Sequence, residues 1–290
     1  MTASLVFTVD TEPDDQWAPP LPDGTLPPFG FANTRGLGRL IDVFHAAGLP
    51  VTWMTSWSVA RDEESTRLLR DAAADGDEIA GHLHGWETPP FLPCDARHRP
   101  FIAEYDPAMR LAKHRELLAA HAEAFGAQPV SYRAGRWGVD AQELAHLAEL
   151  GYRIDTSIPP GIDFRDRFGM HIAGPDFSAY ASDAPRPWRE EPLWEVPASV
   201  VRLEPGRFVW IRPLKHPRAE LVEATHALLE RGAPIVNVMF HSSEAFLDTS
   251  PLSRTVMDVE RLYGDLAAIA GAAREHGAVG RTLRDAVEAL

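Results

Sequence analysis

The sequence predicts an α/β protein built on a parallel sheet, either closed as a barrel or open and doubly wound. Three observations carry this. A cadence of helix, glycine and short apolar run recurs in FHAAGLPVTWMTSW, LRDAAADGDEIAGH, HAEAFGAQPVSYRAG, LAELGYRIDTS, LLERGAPIVNVMFHS and AAREHGAVGRTL. The runs are rich in β-branched and aromatic residues, as strands are, and strands that alternate with helices form parallel βα units. Polar residues able to bind metal or move protons fall at the ends of successive runs, where βα folds carry their active sites.

Taken in order, SLVFTVD supplies the first strand, and the chain holds six or seven such units. Each cadence glycine sits one step past a helical pattern, the place for a left-handed C-cap. Residues 11 to 32 hold six prolines and little periodicity, and residues 157 to 192 are rich in Pro, Asp, Arg and Gly. Both read as long loops over a site. The stretch LWEVPASVVRLEPGRFVWIRP reads as two or three short strands with a hairpin, followed by the helix PRAELVEATHALLERG. No linker divides the chain, so residues 1 to 290 are expected to form one domain.

Composition narrows the function. The 290 residues carry a net charge of −14, which argues against a nucleic-acid partner. The single cysteine, Cys94, excludes an intrachain disulfide and a Cys-rich metal site, so any metal must use His, Asp or Glu. The N-terminus MTASLVFTVD lacks a basic segment and a long apolar run, and no stretch approaches a membrane span of about 20 residues. A cytoplasmic enzyme is the expectation.

The strand ends supply the candidates. Asp10 ends the first run, with Glu12 two positions on. His82 and His84 end the third, Arg133 the fourth (followed by Arg136 and Trp137), Asp155 the fifth, and His241 the late run PIVNVMF. Residues i and i+2 share one face of an extended strand, so Asp10 and Glu12 point into one space, as do His82 and His84. Two imidazoles and a carboxylate make an open metal site, a second carboxylate serves as general base for water, and a histidine across the pocket protonates a leaving group. These are the parts of metal-assisted hydrolysis.

At this point the chain resembles the polysaccharide deacetylases, the NodB-homology proteins of carbohydrate esterase family 4, over nearly its whole length. FTVDTE looks like the first motif, DEIAGHLHGW the second, SYRAGRWG the third, GYRIDTSIPP the fourth and VMFHSSE the fifth, and GRTLRDAVEAL matches the usual final strand and helix. The resemblance implies a distorted (β/α)7 barrel and removal of an N-acetyl group from an amino sugar or glycan precursor. It implies a divalent metal, zinc first, with cobalt, nickel or manganese as alternatives. Asp10 becomes the general base toward water held on the metal, and Arg133 holds that aspartate. Asp155 orients His241, the general acid, and Trp137 forms an apolar wall of the pocket.

The chain departs from the family pattern twice. Thr11 follows Asp10 where the family has a second aspartate, so the metal carboxylate is assigned to Glu12, with Asp14 and Asp15 as alternatives. Trp86 stands where the second histidine is usual, so His84 is assigned as its substitute. The form His-Leu-His-Gly-Trp is similar to a subgroup associated with lipopolysaccharide or capsule biosynthesis. Trp86 is taken with Trp137 as a substrate contact; Phe91, Phe101 and Tyr105 either stack on a sugar or pack their loop. Arg97, Arg99, Arg165, Arg167 and Arg189 either grip a phosphate or uronate or stay solvated; they are read as solvated loop residues, the commoner case. The competing readings are hydrolysis of another linear or cyclic amide on the same fold, and a non-catalytic binding protein on a degenerate barrel.

Overall fold

The computed structural model describes residues 2–14, 16, 28–92 and 100–290. Its strands are β1 (Ser4–Thr11), β2 (Val51–Thr55), β3 (Glu78–Leu83), β4 (Ser131–Ala134), β5 (Ile154–Asp155), β6 (Trp188–Glu190), β7 (Leu193–Glu195), β8 (Val200–Glu204), β9 (Arg207–Trp210), β10 (Ile235–His241) and β11 (Val279–Gly280). Nine of them form one sheet in the order β10-β1-β2-β3-β4-β5-β7-β6, with β11 added to β1. Every neighbouring pair from β10 through β7 is parallel, and only β6 runs antiparallel. The chain after β7 reaches back to β10: Ser199 N donates to Asn237 O at 3.1 Å, and Asn237 N to Ser199 Oγ at 2.8 Å. The result is the expected distorted (β/α)7 barrel. The segment read as two or three strands divides: β7 joins the barrel sheet, while β8 and β9 pair as a separate antiparallel hairpin.

The six cadence glycines, Gly48, Gly76, Gly126, Gly151, Gly232 and Gly277, all have positive φ, from 68° to 111°. They end helices so that the next strand can start within a few residues. Period-two alternation then sorts the side chains. On β1, Leu5, Phe7 and Val9 pack outward against Leu37, Leu40 and Phe44 of the helix Leu37–Ala46. Val6, Thr8 and Asp10 face the barrel interior, where Val6 packs with Met54, Ala80 and Ile235. The interior is therefore apolar at its base and polar at the strand ends.

Of the two long loops, residues 15 and 17–27 of the first, and with them Asp15, lie outside the described residues. So do Cys94, Arg97 and Arg99. The second, 157–192, is described and contains β6 and a 3₁₀ turn at Ser178–Tyr180. Among the described residues no helix is long and apolar enough to cross a membrane.

Candidate metal centre and active site

Parallel register sets the polar residues at one height. Asp10 lies opposite His241 across β1 and β10, and His82 opposite Arg133 across β3 and β4. Glu12 and His84 extend one further inward step beyond Asp10 and His82. Three electron-pair donors then converge: Glu12 Oε1 is 2.7 Å from His82 Nε2 and 2.9 Å from His84 Nε2, and the two Nε2 atoms are 3.1 Å apart. All three side chains are buried.

The donor set fits a divalent cation. His82 Nδ1 donates to the Arg133 carbonyl at 2.9 Å, which fixes the tautomer and leaves the Nε2 electron pair facing inward. Bonds of about 2 Å in a tetrahedral site put ligand atoms about 3.3 Å apart, so the observed triangle is close to that of a His₂-carboxylate site. Burial alone pushes the Glu12 carboxyl up, but the charge on His84 and hydrogen bonds with His82 and His84 hold it well below the ordinary carboxylate range. Burial pushes His82 down, and the charges of Asp10 and Glu12 more than reverse this. His84 Nδ1 is buried and has no hydrogen-bond partner among the described residues. It lacks the outer support that His82 has. A second grouping, Asp10, Glu12 and His241, shares Glu12; there Asp10 is already committed to an arginine.

That arginine is Arg133, fully buried. It donates from Nη1 to Asp10 Oδ1 at 2.6 Å, from Nη2 to Thr8 Oγ1 at 2.6 Å and from Nε to Thr156 O at 3.1 Å, and it lies over the Trp137 ring at 5.2 Å. Asp10 Oδ2 is left facing His241 Nε2 at 3.8 Å. A cavity of about 230 Å³ opens here, lined by Asp10, Glu12, His82, His84, Trp137 and His241, with Ala134 and Met239 as apolar wall. The expected residues Asp10, Glu12, His82, His84, Arg133, Trp137 and His241 thus meet in one place.

Two expectations are corrected. Asp155 is not the partner of His241. It lies opposite Glu195 across β5 and β7, and its carboxylate bonds the Ser157 hydroxyl at 2.6 Å. Burial pushes both Asp155 and Glu195 up, Glu195 the further of the two because Asp155 adds its charge. His241 Nδ1 instead meets Glu244 Oε1 at 2.9 Å, on the 3₁₀ turn Ser242–Ala245, and Arg212 donates to the same carboxylate. Glu244 follows His241 by three residues inside VMFHSSE; a carboxylate at i+3 in a tight turn is the signal that marks it.

The second correction is Trp86, which does not line the cavity. The chain turns back at His84, whose carbonyl accepts from Glu87 N and Thr88 N, and this buries the indole. Its ring packs on His84 at 4.2 Å and its Nε1 donates to Gln16 Oε1 at 3.0 Å. Trp86 packs behind His84 and does not reach the cavity. Phe101 and Tyr105 are buried packing residues as well. Asp14 is also excluded as a ligand, since its carboxylate accepts from Ala32 N at 2.7 Å and Asn33 N at 2.9 Å. Asn33 in turn donates to the Glu12 carbonyl at 3.0 Å and accepts from Ser242 Oγ at 2.6 Å, tying the first strand end to the last.

No protein-family model and no curated protein matches the sequence. Solved structures do match. The Xyl-CE4 domain of a multidomain xylanase from the hindgut metagenome of Trinervitermes trinervoides aligns over 100% of this chain and 91% of its own, with a TM-score of 0.53 at 9% identity. The chitin deacetylase of Colletotrichum lindemuthianum aligns over 99% and 88%, with a TM-score of 0.53 at 14% identity. A family 4 carbohydrate esterase of Streptomyces lividans, in complex with acetate, aligns over 96% and 91%, with a TM-score of 0.50 at 12% identity. This chain shares the fold of those deacetylases and esterases.

Proposed function

We propose that the protein is a metal-dependent hydrolase that removes the N-acetyl group from an amino sugar or glycan precursor. One observation carries the reading: the Glu12, His82 and His84 donor triangle lies beside an Asp10–Arg133 pair and faces a histidine across a single cavity. Glu12, His82 and His84 hold the metal, and two imidazoles with one carboxylate favour zinc. When bound, the metal supplies Lewis acidity at the acetyl carbonyl and makes the attacking water more acidic.

The chain's own residues do the rest. Asp10 Oδ2 takes a proton from water, because Oδ1 is held by Arg133 and Oδ2 is left aimed at the cavity. His241 Nε2, on the opposite wall, gives a proton to the departing amine nitrogen. Glu244, itself held by Arg212, accepts from His241 Nδ1 and fixes the ring, the position first assigned to Asp155. Trp137 and Met239 exclude water from one side and accept the acetyl methyl. The products are acetate and a free amine. The His-Leu-His-Gly-Trp motif and the fold shared with polysaccharide-active enzymes support a sugar substrate over a cyclic amide.

The test is acetate release from a panel of N-acetylated amino sugars by the zinc-loaded protein. Asp10→Asn is expected to lower kcat by about 10²–10⁴ while metal content stays stoichiometric. Turnover undiminished in that variant removes Asp10 as base and the mechanism with it.

A further inference from the structure

Apolar side chains are exposed around the cavity mouth. Of the described residues that line the cavity, only Arg167, Pro251 and Leu252 are exposed, so they mark its mouth. More than half of the exposed large apolar side chains among the described residues fall in the two segments that carry them. Phe168, Met170 and Ile172 follow Arg167, and Phe168 is 74% exposed. Leu247, Leu252, Val256 and Met257 lie on the other segment, and Met257 is 77% exposed.

Both segments are held in place. Residues 167–174 form a tight hairpin: Gly174 N donates to Arg167 O at 2.6 Å and Gly169 N to Ile172 O at 2.8 Å, while His171 N donates to Glu104 Oε1 at 2.9 Å. In segment 247–257 the usual polarity of a serine-rich loop is reversed. Thr249, Ser250 and Ser253 are buried. The Thr249 and Ser253 hydroxyls donate to Ser243 O at 2.7 and 3.1 Å, and Ser250 Oγ accepts from Leu252 N at 3.2 Å. Thr255 and Asp258 cap the helix Val256–Glu275, whose first two residues, Val256 and Met257, are exposed. A loop that turns its hydroxyls onto its own backbone and its aliphatic groups to water is disfavoured in proportion to the apolar area exposed, and a patch of this kind marks a contact site.

Whatever covers this collar must leave the mouth open to substrate. A protein seated on both segments, a second copy of the chain included, would stand over Arg167 and Leu252 and shut the cavity. A lipid surface that itself carries the substrate does not. We infer that the collar docks on a lipid bilayer and that the substrate is an amphiphile, an N-acetylated amino sugar linked to a lipid, whose sugar enters the cavity while its apolar chain stays beside the collar. This rests on the hydrolase reading above and specifies its substrate class. The net charge of −14 repels anionic headgroups, so the docking is apolar rather than electrostatic.

The intact zinc-loaded protein is sedimented with phosphatidylcholine vesicles. It is also assayed for acetate release from free N-acetylglucosamine and from its long-chain alkyl glycoside embedded in those vesicles. The parent should bind the vesicles with little dependence on salt, and the glycolipid should exceed the free sugar in kcat/KM by about tenfold or more. Phe168→Ser and Met257→Ser together should weaken vesicle binding by about tenfold or more and cut the glycolipid-to-free ratio by a similar factor. Free sugar turned over as well as the glycolipid, or vesicle binding that the double variant leaves unchanged, overturns the inference and leaves the hydrolase standing. A parent dimer in analytical ultracentrifugation that the double variant dissolves also overturns it and assigns the collar to a second copy. If neither sugar releases acetate, the reaction assignment is what fails, and vesicle sedimentation then decides the docking alone. Binding lost in F168S/M257S sustains it, and a parent that does not bind overturns it.

Discussion

Gly135 offers the sharpest test of His84 as a metal ligand. A Cβ placed on Gly135 would stand 2.5 Å from the Leu83 carbonyl oxygen and 2.7 Å from His84 Cε1, and closer still to His84 Nδ1. Ordinary contact needs about 3.5 Å, so Gly135→Ala demands a displacement of about 1 Å. The Leu83 carbonyl belongs to the end of β3 and cannot yield without disturbing the sheet. The imidazole is the softer neighbour, but Trp86 backs it at 4.2 Å and His82 stands edge-on at 4.7 Å. A coordination bond tolerates about 0.2 Å, so a shift five times larger removes His84 from the metal and leaves two protein ligands. Perturbing an outer-shell support costs about 10–100-fold in affinity; losing a ligand should cost at least about 100-fold, or roughly 2.7 kcal/mol. Competition against a fluorescent chelator reads the affinity, and melting of the metal-free protein checks that the fold survives. His84→Ala should weaken zinc to a similar degree, and the double variant should be no worse than either. Wild-type zinc affinity in both Gly135→Ala and His84→Ala would refute the ligand set.

Three further outcomes follow from contacts elsewhere. Glu244→Gln should lower kcat by about tenfold or more and shift the pH profile, whereas Asp155→Asn, which keeps an acceptor for the Ser157 hydroxyl, should change kcat by less than about twofold; the reverse pattern restores Asp155 as the partner of His241. Lys113 is fully buried, and its Nζ donates to the carbonyls of Gly85, Thr88 and Pro90 at 2.7–2.8 Å, pinning the loop behind His84. Lys113→Met should cost roughly 2–4 kcal/mol in urea unfolding, and an unchanged midpoint refutes this. His121 is buried, and burial pushes its pKa from 6.5 down to about 4 while Nε2 contacts Thr55 O. Above pH 6.5 both states are neutral and nothing is lost. As pH falls from 6.5 toward 4 the unfolded chain takes up a proton that the folded one refuses, costing about 3 kcal/mol in total. His121→Gln keeps a donor for Thr55 and should be relatively more stable at pH 5 than at pH 7, by comparison of urea midpoints; a constant difference between variant and parent contradicts it.

Much of this molecule was legible from residues close together in sequence. The period of two along β1 and β3 placed Asp10 with Glu12 and His82 with His84 on inward faces, and the structure has them there. The six cadence glycines marked helix ends because their left-handed backbone is a local property. Partners chosen across strands were less legible. Asp155 and His241 both end strands, but β5 is only two residues long and its register sets Asp155 against Glu195. Trp86 lies in a turn whose direction no periodicity encodes. Arg167 read as a solvated loop residue, and only the path of a long irregular loop brings it to the cavity.

By itself, then, the sequence determined the α/β class, the faces of the strands and the residue types able to hold a cation, since all depend on backbone geometry repeated over a few residues. The tertiary structure alone decided that Asp155 lies against Glu195 rather than His241, that Trp86 packs behind His84, and that Arg167 reaches the cavity. These depend on strand register, barrel curvature and loop course, which are set by packing among segments distant in sequence rather than by any local period.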